Sequence, residues 1–262
     1  MNLVLVGPGR AGGSMAIAAT RSGDRIVGVL SRSGDSRYGP ALSWDDPLPF
    51  ADLLLIAVND AAIEEVARRL AGVLDSIPVA AHVSGFTPVS ALEPLAAAGA
   101  ATGGFHPLQT LPDPERGAAA LAGAFVGIGG HPHAQAVLTQ LARSLEMRPF
   151  PLSDASRPRY HAGASAASNF VVTALATAGD LMSAAGIEPG VARPLVEQAV
   201  ANVYDDLASA LTGPVARGDV ATVSGQLAAA RETSDDIGDQ YRLMAEATAI
   251  RAGRRADIQK WR

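Results

Sequence analysis

The chain of 262 residues has no cysteine and a single lysine, Lys260. Without thiols there is no disulfide, no cysteine–zinc site and no thiol nucleophile. With Lys260 as the sole lysine, Schiff-base chemistry and lysine acid catalysis have almost no candidate residue. Aromatic residues are scarce, at 5%, and the sequence has no run of about 18 uninterrupted apolar residues, so no membrane-spanning helix is expected. The first apolar stretch starts at Met1, and the expectation is a cytoplasmic chain without a signal peptide. Positive charge is also short: 21 basic against 26 acidic residues give −5, which argues against a general nucleic-acid partner. What remains is apolar content, 48% of the chain, ample for one large domain or two modest ones.

The most informative segment comes first. Leu3-Val4-Leu5-Val6 reads as a strand and runs into Gly7-Pro8-Gly9-Arg10-Ala11-Gly12, followed by a small-residue helix. This is G-x-G-x-x-G between a strand and a helix, the context that gives the pattern its meaning. Gly7 suits the tight turn, Gly9 the approach of a pyrophosphate, and Gly12 the packing of helix on strand, while the helix N-terminus offers free N–H groups. A dinucleotide site is therefore expected.

Strands are expected at Leu3–Val6, Arg25–Leu30, Asp52–Val58, Val79–His82, Thr102–Phe105 and Ala124–Ile128, with a short one near Met147–Leu152. Helices are expected at Gly12–Ser22, Ala61–Leu74, Val89–Ala98 and Ala134–Leu145. The alternation, with apolar strands such as Leu53-Leu54-Leu55-Ile56, implies a parallel sheet covered on both faces. After Pro158 the texture becomes Ala-rich and helical. The expected organisation is an α/β Rossmann domain over 1–152 and an all-α domain over 153–262.

An acidic residue at the tip of the second strand would hydrogen-bond the 2′-hydroxyl of NAD, whereas basic and hydroxyl groups suit the 2′-phosphate of NADP. Here Ile26–Leu30 runs into Ser31-Arg32-Ser33, with Asp35 only later, so NADP(H) is the expected cofactor. Val58 and Asn59 end the third strand, where ligands of open α/β sheets lie, and Asp60 reads as a helix N-cap. Two further strand ends carry polar groups. Ser84 and Gly85 follow the fourth, where hydroxyl and backbone N–H suit a substrate carboxylate. His106 follows the fifth and is a proton carrier if its pKa lies near working pH. His161, Ser165 and Asn169 recur every four residues and so would share one helix face.

These residues resemble a family. The glycine loop, the Ser84-Gly85 turn and the polar helix opening a helical domain are similar to the 6-phosphogluconate dehydrogenase-like superfamily. That group includes β-hydroxyacid dehydrogenases, ketopantoate reductase, pyrroline-5-carboxylate reductase and prephenate dehydrogenase. Gly7–Ser14, His106-Pro107-Leu108-Gln109-Thr110, Tyr160-His161-Ala162 and Leu211–Asp219 look, more closely, like a bacterial branch. It joins a Rossmann-like domain to a domain of unknown function, DUF2520, and is often described as related to F420-dependent NADP oxidoreductases. The resemblance implies that Gly7, Gly9 and Gly12 form the phosphate loop, that Ser84 and Gly85 form the substrate turn, and that Asn169 helps to hold substrate. Ser165 stands where β-hydroxyacid enzymes place a catalytic lysine, which leaves His106 and His161 as the available proton carriers. The implied function is NADP(H)-dependent hydride transfer to or from a small keto, hydroxy or imino acid bound between the two domains, in a homodimer paired through the helical domain. A non-catalytic NADP(H)-binding sensor or scaffold is the alternative. Methyl transfer from S-adenosylmethionine ranks below both, because the second strand tip lacks its usual acid. No deazaflavin site is identifiable, and no metal is expected.

Overall fold

The computed structural model describes residues 1–34, 37–74 and 77–261, so Asp35 lies outside the described residues. The described residues divide into two compact units, Met1–Ser165 and Ala166–Arg262.

The first unit is built on seven strands: β1 (Asn2–Val6), β2 (Arg25–Leu30), β3 (Leu53–Ile56), β4 (Val79–His82), β5 (Ala101–Leu108), β6 (Phe125–Gly130) and β7 (Arg148–Pro151). They lie in the order β2-β1-β3-β4-β5-β6-β7. Six helices accompany them: α1 (Arg10–Arg21), α2 (Ile63–Leu70), α3 (Glu93–Ala97), α4 (Pro114–Leu121), α5 (Pro132–Ser144) and α6 (Arg157–Ser165). Every residue of Leu53-Leu54-Leu55-Ile56 is buried, and successive side chains of a strand point to opposite faces. Leu53 and Leu55 join Leu3, Leu5, Met15 and Phe105 in one core, whereas Leu54 and Ile56 join Val4, Val6, Leu30 and Ile63 in the other. Burial of both faces is what makes these strands read as unbroken apolar runs.

The expectation of a parallel sheet holds for β1 to β5 and fails at β6. β6 is antiparallel to β5, with Leu108 opposite Phe125 and Gly103 opposite Gly130, and β7 is then parallel to β6. The reversal falls across the connection that carries α4, an eight-residue helix between β5 and β6. The alanine-rich stretch of α4 was not among the expected helices. Two other helices are shorter than expected. Residues 60–62 form a 3-10 turn before α2, which stops at Leu70 ahead of Gly72, and Val89–Leu92 form a 3-10 turn before α3.

The first unit reaches Ser165 rather than the expected residue 152, because Arg157 at the start of α6 is wholly buried within it. In the second unit a π turn, Ala166–Phe170, precedes α7 (Val171–Ala184), α8 (Arg193–Asp205), α9 (Pro214–Arg217), α10 (Val220–Thr233) and α11 (Asp235–Arg251). The turn corrects one expectation. An i→i+5 turn changes the helical pitch, so spacing by four no longer marks a continuous face from His161 through Ser165 to Asn169. Val223, Leu227 and Ala230 of α10 are buried, as are Ile237, Ala245 and Ala249 of α11, and Thr177 of α7 donates to Gln240 at 2.8 Å. By contrast α8 has no buried residue, and Leu195 is 70% and Tyr204 86% exposed. Among the described residues no helix is long and apolar enough to cross a membrane.

Candidate active site

The glycine loop takes its expected form. Gly7 has φ +87°, a left-handed conformation that an L side chain rarely adopts. A Cβ at Gly12 would overlap the Gly7 carbonyl oxygen, whereas a Cβ at Gly9 would meet nothing within 4 Å. Thus Gly12 is small because α1 packs against the loop, and Gly9 faces open space. The N-terminus of α1 has no side-chain cap and no acid in its first turn, which leaves its N–H groups and positive dipole end available to an anion.

In front of this loop lies a cavity of about 660 Å³. Gly7, Pro8, Gly9, Ser31, Arg32, Ser33, Val58 and Asn59 line it, which brings together eight residues expected at the cofactor. Arg10, Ala11 and Gly12 do not line it and form the first turn of α1. Sequence reasoning missed Arg37, Trp44 and Arg69, which also line the cavity. Arg69 stacks over the Trp44 ring at 5.0 Å and pairs with Asp45, and the Trp44 indole donates to the Ser31 carbonyl at 3.2 Å. A tryptophan in so aromatic-poor a sequence, close behind the second strand, was the available signal.

A second cluster forms at the C-terminal ends of β4 and β5. His106 Nδ1 lies 2.6 Å from the Tyr160 hydroxyl, and the His161 ring meets His106 edge-on with centroids 5.8 Å apart. Arg157, Tyr160 and His161 occupy positions i, i+3 and i+4 of α6, hence one face of that helix. Gly85 is required here by close approach, since a Cβ on it would come within 2.7 Å of both His106 Nε2 and His161 Nδ1. Phe86 extends the row of rings, tilted against His161 at 6.2 Å.

Electrostatics corrects the expectation for His106. Burial, then the charges of His161 and Arg157, lower its pKa to about 4, so at neutral pH it is an uncharged imidazole rather than a titrating acid. His82, buried at the end of β4 and accepting the Ser84 N–H, is lowered to about 4 mainly by burial. Burial raises the Tyr160 phenol to about 12, so it stays protonated. The Ser84 hydroxyl is committed locally: it donates to Asp60 at 2.8 Å and accepts the N–H groups of Phe86 and Thr87. Asp60 accordingly does not cap the following turn, as expected, but accepts this hydroxyl. Ser165 ends α6 half-buried, and Asn169 is exposed in the π turn of the second unit.

A doubly wound sheet with an uncapped glycine loop, followed by an all-helical unit, defines the dinucleotide-binding class of α/β proteins with a helical C-terminal domain. Residues 1–107 match the Rossmann-like domain family and residues 124–248 match the domain of unknown function DUF2520, so the chain joins these two domains. No curated protein sequence matches it. Among solved structures, a candidate NADP oxidoreductase from Bacteroides fragilis is similar at TM-score 0.79 and 24% identity, covering 95% of this chain and 98% of that one. An imine reductase from Streptomyces aurantiacus is similar at TM-score 0.68 and 16% identity, over 99% of each chain. A reductive aminase from Aspergillus terreus, solved with NADPH and ethyl levulinate, is similar at TM-score 0.66 and 16% identity, over 100% of this chain and 99% of that one.

Proposed function

We propose that this protein is an NADP(H)-dependent oxidoreductase that reduces the C=O or C=N group of a small organic substrate. The single observation that carries the reading is the cavity that the glycine loop, with Gly9 at the cap position of α1, shares with Arg32. Those residues fit the cofactor: the loop and α1 would hold the pyrophosphate, and Ser31, Arg32 and Ser33 would hold the 2′-phosphate. The nicotinamide supplies the hydride when bound. The chain's own task is then to deliver a proton. The step uses the tautomer in which protonated Tyr160 donates to Nδ1 of neutral His106 and the imidazole proton sits on Nε2, the ring atom that a Cβ on Gly85 would meet at 2.7 Å. An oxyanion or amide anion forming on the substrate is a far stronger base than the conjugate base of either group. The proton therefore passes from Nε2 to substrate while the phenol proton passes to Nδ1, and the phenolate takes a proton from solvent before the next turnover. His161 and Phe86 form the ring wall beside it.

A keto or imino acid remains the substrate class favoured by the family resemblance, and the reductive enzymes of similar fold support the imine. We also infer pairing with a second copy through the helical unit, supported by the bare apolar surfaces of α7 and α8. The test is absorbance at 340 nm with NADPH and a panel of ketones, keto acids and cyclic imines. NADPH consumption with any of them, lost in Tyr160→Phe, supports the reading. Binding of NADPH with no turnover across the panel would favour the sensor alternative.

A further inference from the structure

Arg157 is the largest wholly buried side chain among the described residues, at 0% exposure. An apolar side chain would fill this space without the cost of desolvating a charge. What a guanidinium adds is a fork of directed donors. Its Nε donates to Asp154 at 2.9 Å, and its Nη1 donates to the Ser84 carbonyl at 2.8 Å. Asp154 in turn accepts the Val89 N–H through both oxygens, each at 2.9 Å. Arg157 therefore ties the start of α6 to the Ser84 turn, while Asp154 ties it to Val89 just beyond. The floor is built to admit it: a Cβ at Gly104, on β5 two residues before His106, would overlap Nη2. Neither tie touches the nucleotide cavity or a reacting atom.

We propose that Arg157 is the positioning residue of this site, a buried clamp that fixes α6 to the Ser84 turn and so sets where His106, Tyr160 and His161 meet. The proposal rests on the reading of that cluster as the proton-delivery site. It explains why Tyr160 and His161 follow Arg157 by three and four residues, the spacing that puts all three on one helix face. The charge has a second effect. The groups facing His106 are Tyr160, His161 and Arg157 from α6, His82 from the end of β4, and Asp60 from the neighbouring turn. Of these Arg157 is a fixed cation, which disfavours protonation of His106. Removing it raises the His106 titration midpoint from about 4, while burial, the larger cause, keeps the midpoint below 6.5.

The experiment is histidine-edited NMR on the full chain, in which five histidines give a resolvable set, alongside calorimetric NADPH binding and single-turnover rates. In Arg157→Gln the His106 midpoint is expected to rise, and the His106–His161 ring contact to vanish. The rate should fall about a hundredfold with NADPH affinity unchanged. Arg157→Lys restores the charge but not the fork, so the low midpoint returns while the rate does not. Retention of both the low midpoint and the ring contact in Arg157→Gln overturns the proposal. Should that variant fail to fold, Asp154→Asn, whose carboxyl is 40% exposed, decides: a severalfold lower rate with a weakened ring contact supports the clamp, and wild-type behaviour in both overturns it. A wild-type protein inactive on every substrate defeats the proposed function alone, since the ring contact and midpoint are read without turnover.

Discussion

Burial holds His82 and His106 neutral at pH 7, and that has a consequence for stability as well as for chemistry. Each has a folded pKa of about 4 against 6.5 for the free side chain. Between these values the unfolded chain binds protons that the folded chain refuses, so stability is complete above about pH 6.5 and is lost as pH falls towards 4. Each histidine contributes at most roughly 3 kcal/mol to this loss. Melting temperatures measured from pH 7.5 to 4.5 should fall steeply below pH 6.5, and His106→Asn should flatten part of that slope. The same variant, like Tyr160→Phe, should lower the NADPH oxidation rate by about a hundredfold or more while leaving NADPH binding intact. Equal rates in wild type and Tyr160→Phe would remove the phenol from the proton path.

At the scale of the element, the β1–loop–α1 unit is local enough to be read directly. Its turn, its helix start and its packing glycine lie within seven residues, and each requirement selects a residue type. Gly12→Ala tests the packing step. The added methyl would overlap the Gly7 carbonyl, so a loss of about 1–3 kcal/mol in stability and weaker NADPH binding are expected from denaturant titration and calorimetry. Arg32→Glu tests the strand-tip step and should lower NADPH affinity tenfold or more with little change for NADH, because only NADPH carries the 2′-phosphate. What was not legible follows from interactions across the sheet. The reversal at β6 is a matter of how that strand pairs with β5 and β7, which no single segment encodes. The commitment of Ser84 to Asp60 depends on two strand ends meeting, and the clamp by Arg157 joins residues 73 positions apart. A basic residue in the sequence carries no mark of being buried, so Arg157 reads as surface until β4, β5 and α6 are assembled around it.

At the scale of the whole molecule, the two units differ in how well they cover their own apolar residues. The sheet unit buries β1, β3 and β4 on both faces, whereas the helical unit leaves Val172 64%, Leu195 70%, Leu207 62% and Tyr204 86% exposed. The excess of alanine in these helices, legible in the sequence, permits close approach of a partner helix; the extent of the bare surface is not legible, because it depends on which faces α10 and α11 leave uncovered. Isolated exposed apolar residues are ordinary, but a series of them along α7 and α8 is a surface that water disfavours, and it is what the proposed pairing with a second copy would cover. Self-pairing is the economical solution because a two-fold axis buries the same patch on both chains. Light scattering should therefore give twice the chain mass of 26.7 kDa. Leu195→Glu places a charge on the exposed first turn of α8, at a residue that is not among those lining the nucleotide cavity, and should shift the mass to that of one chain without abolishing NADPH binding. A wild-type mass of 26.7 kDa at micromolar concentration would show that the bare helices have no partner copy.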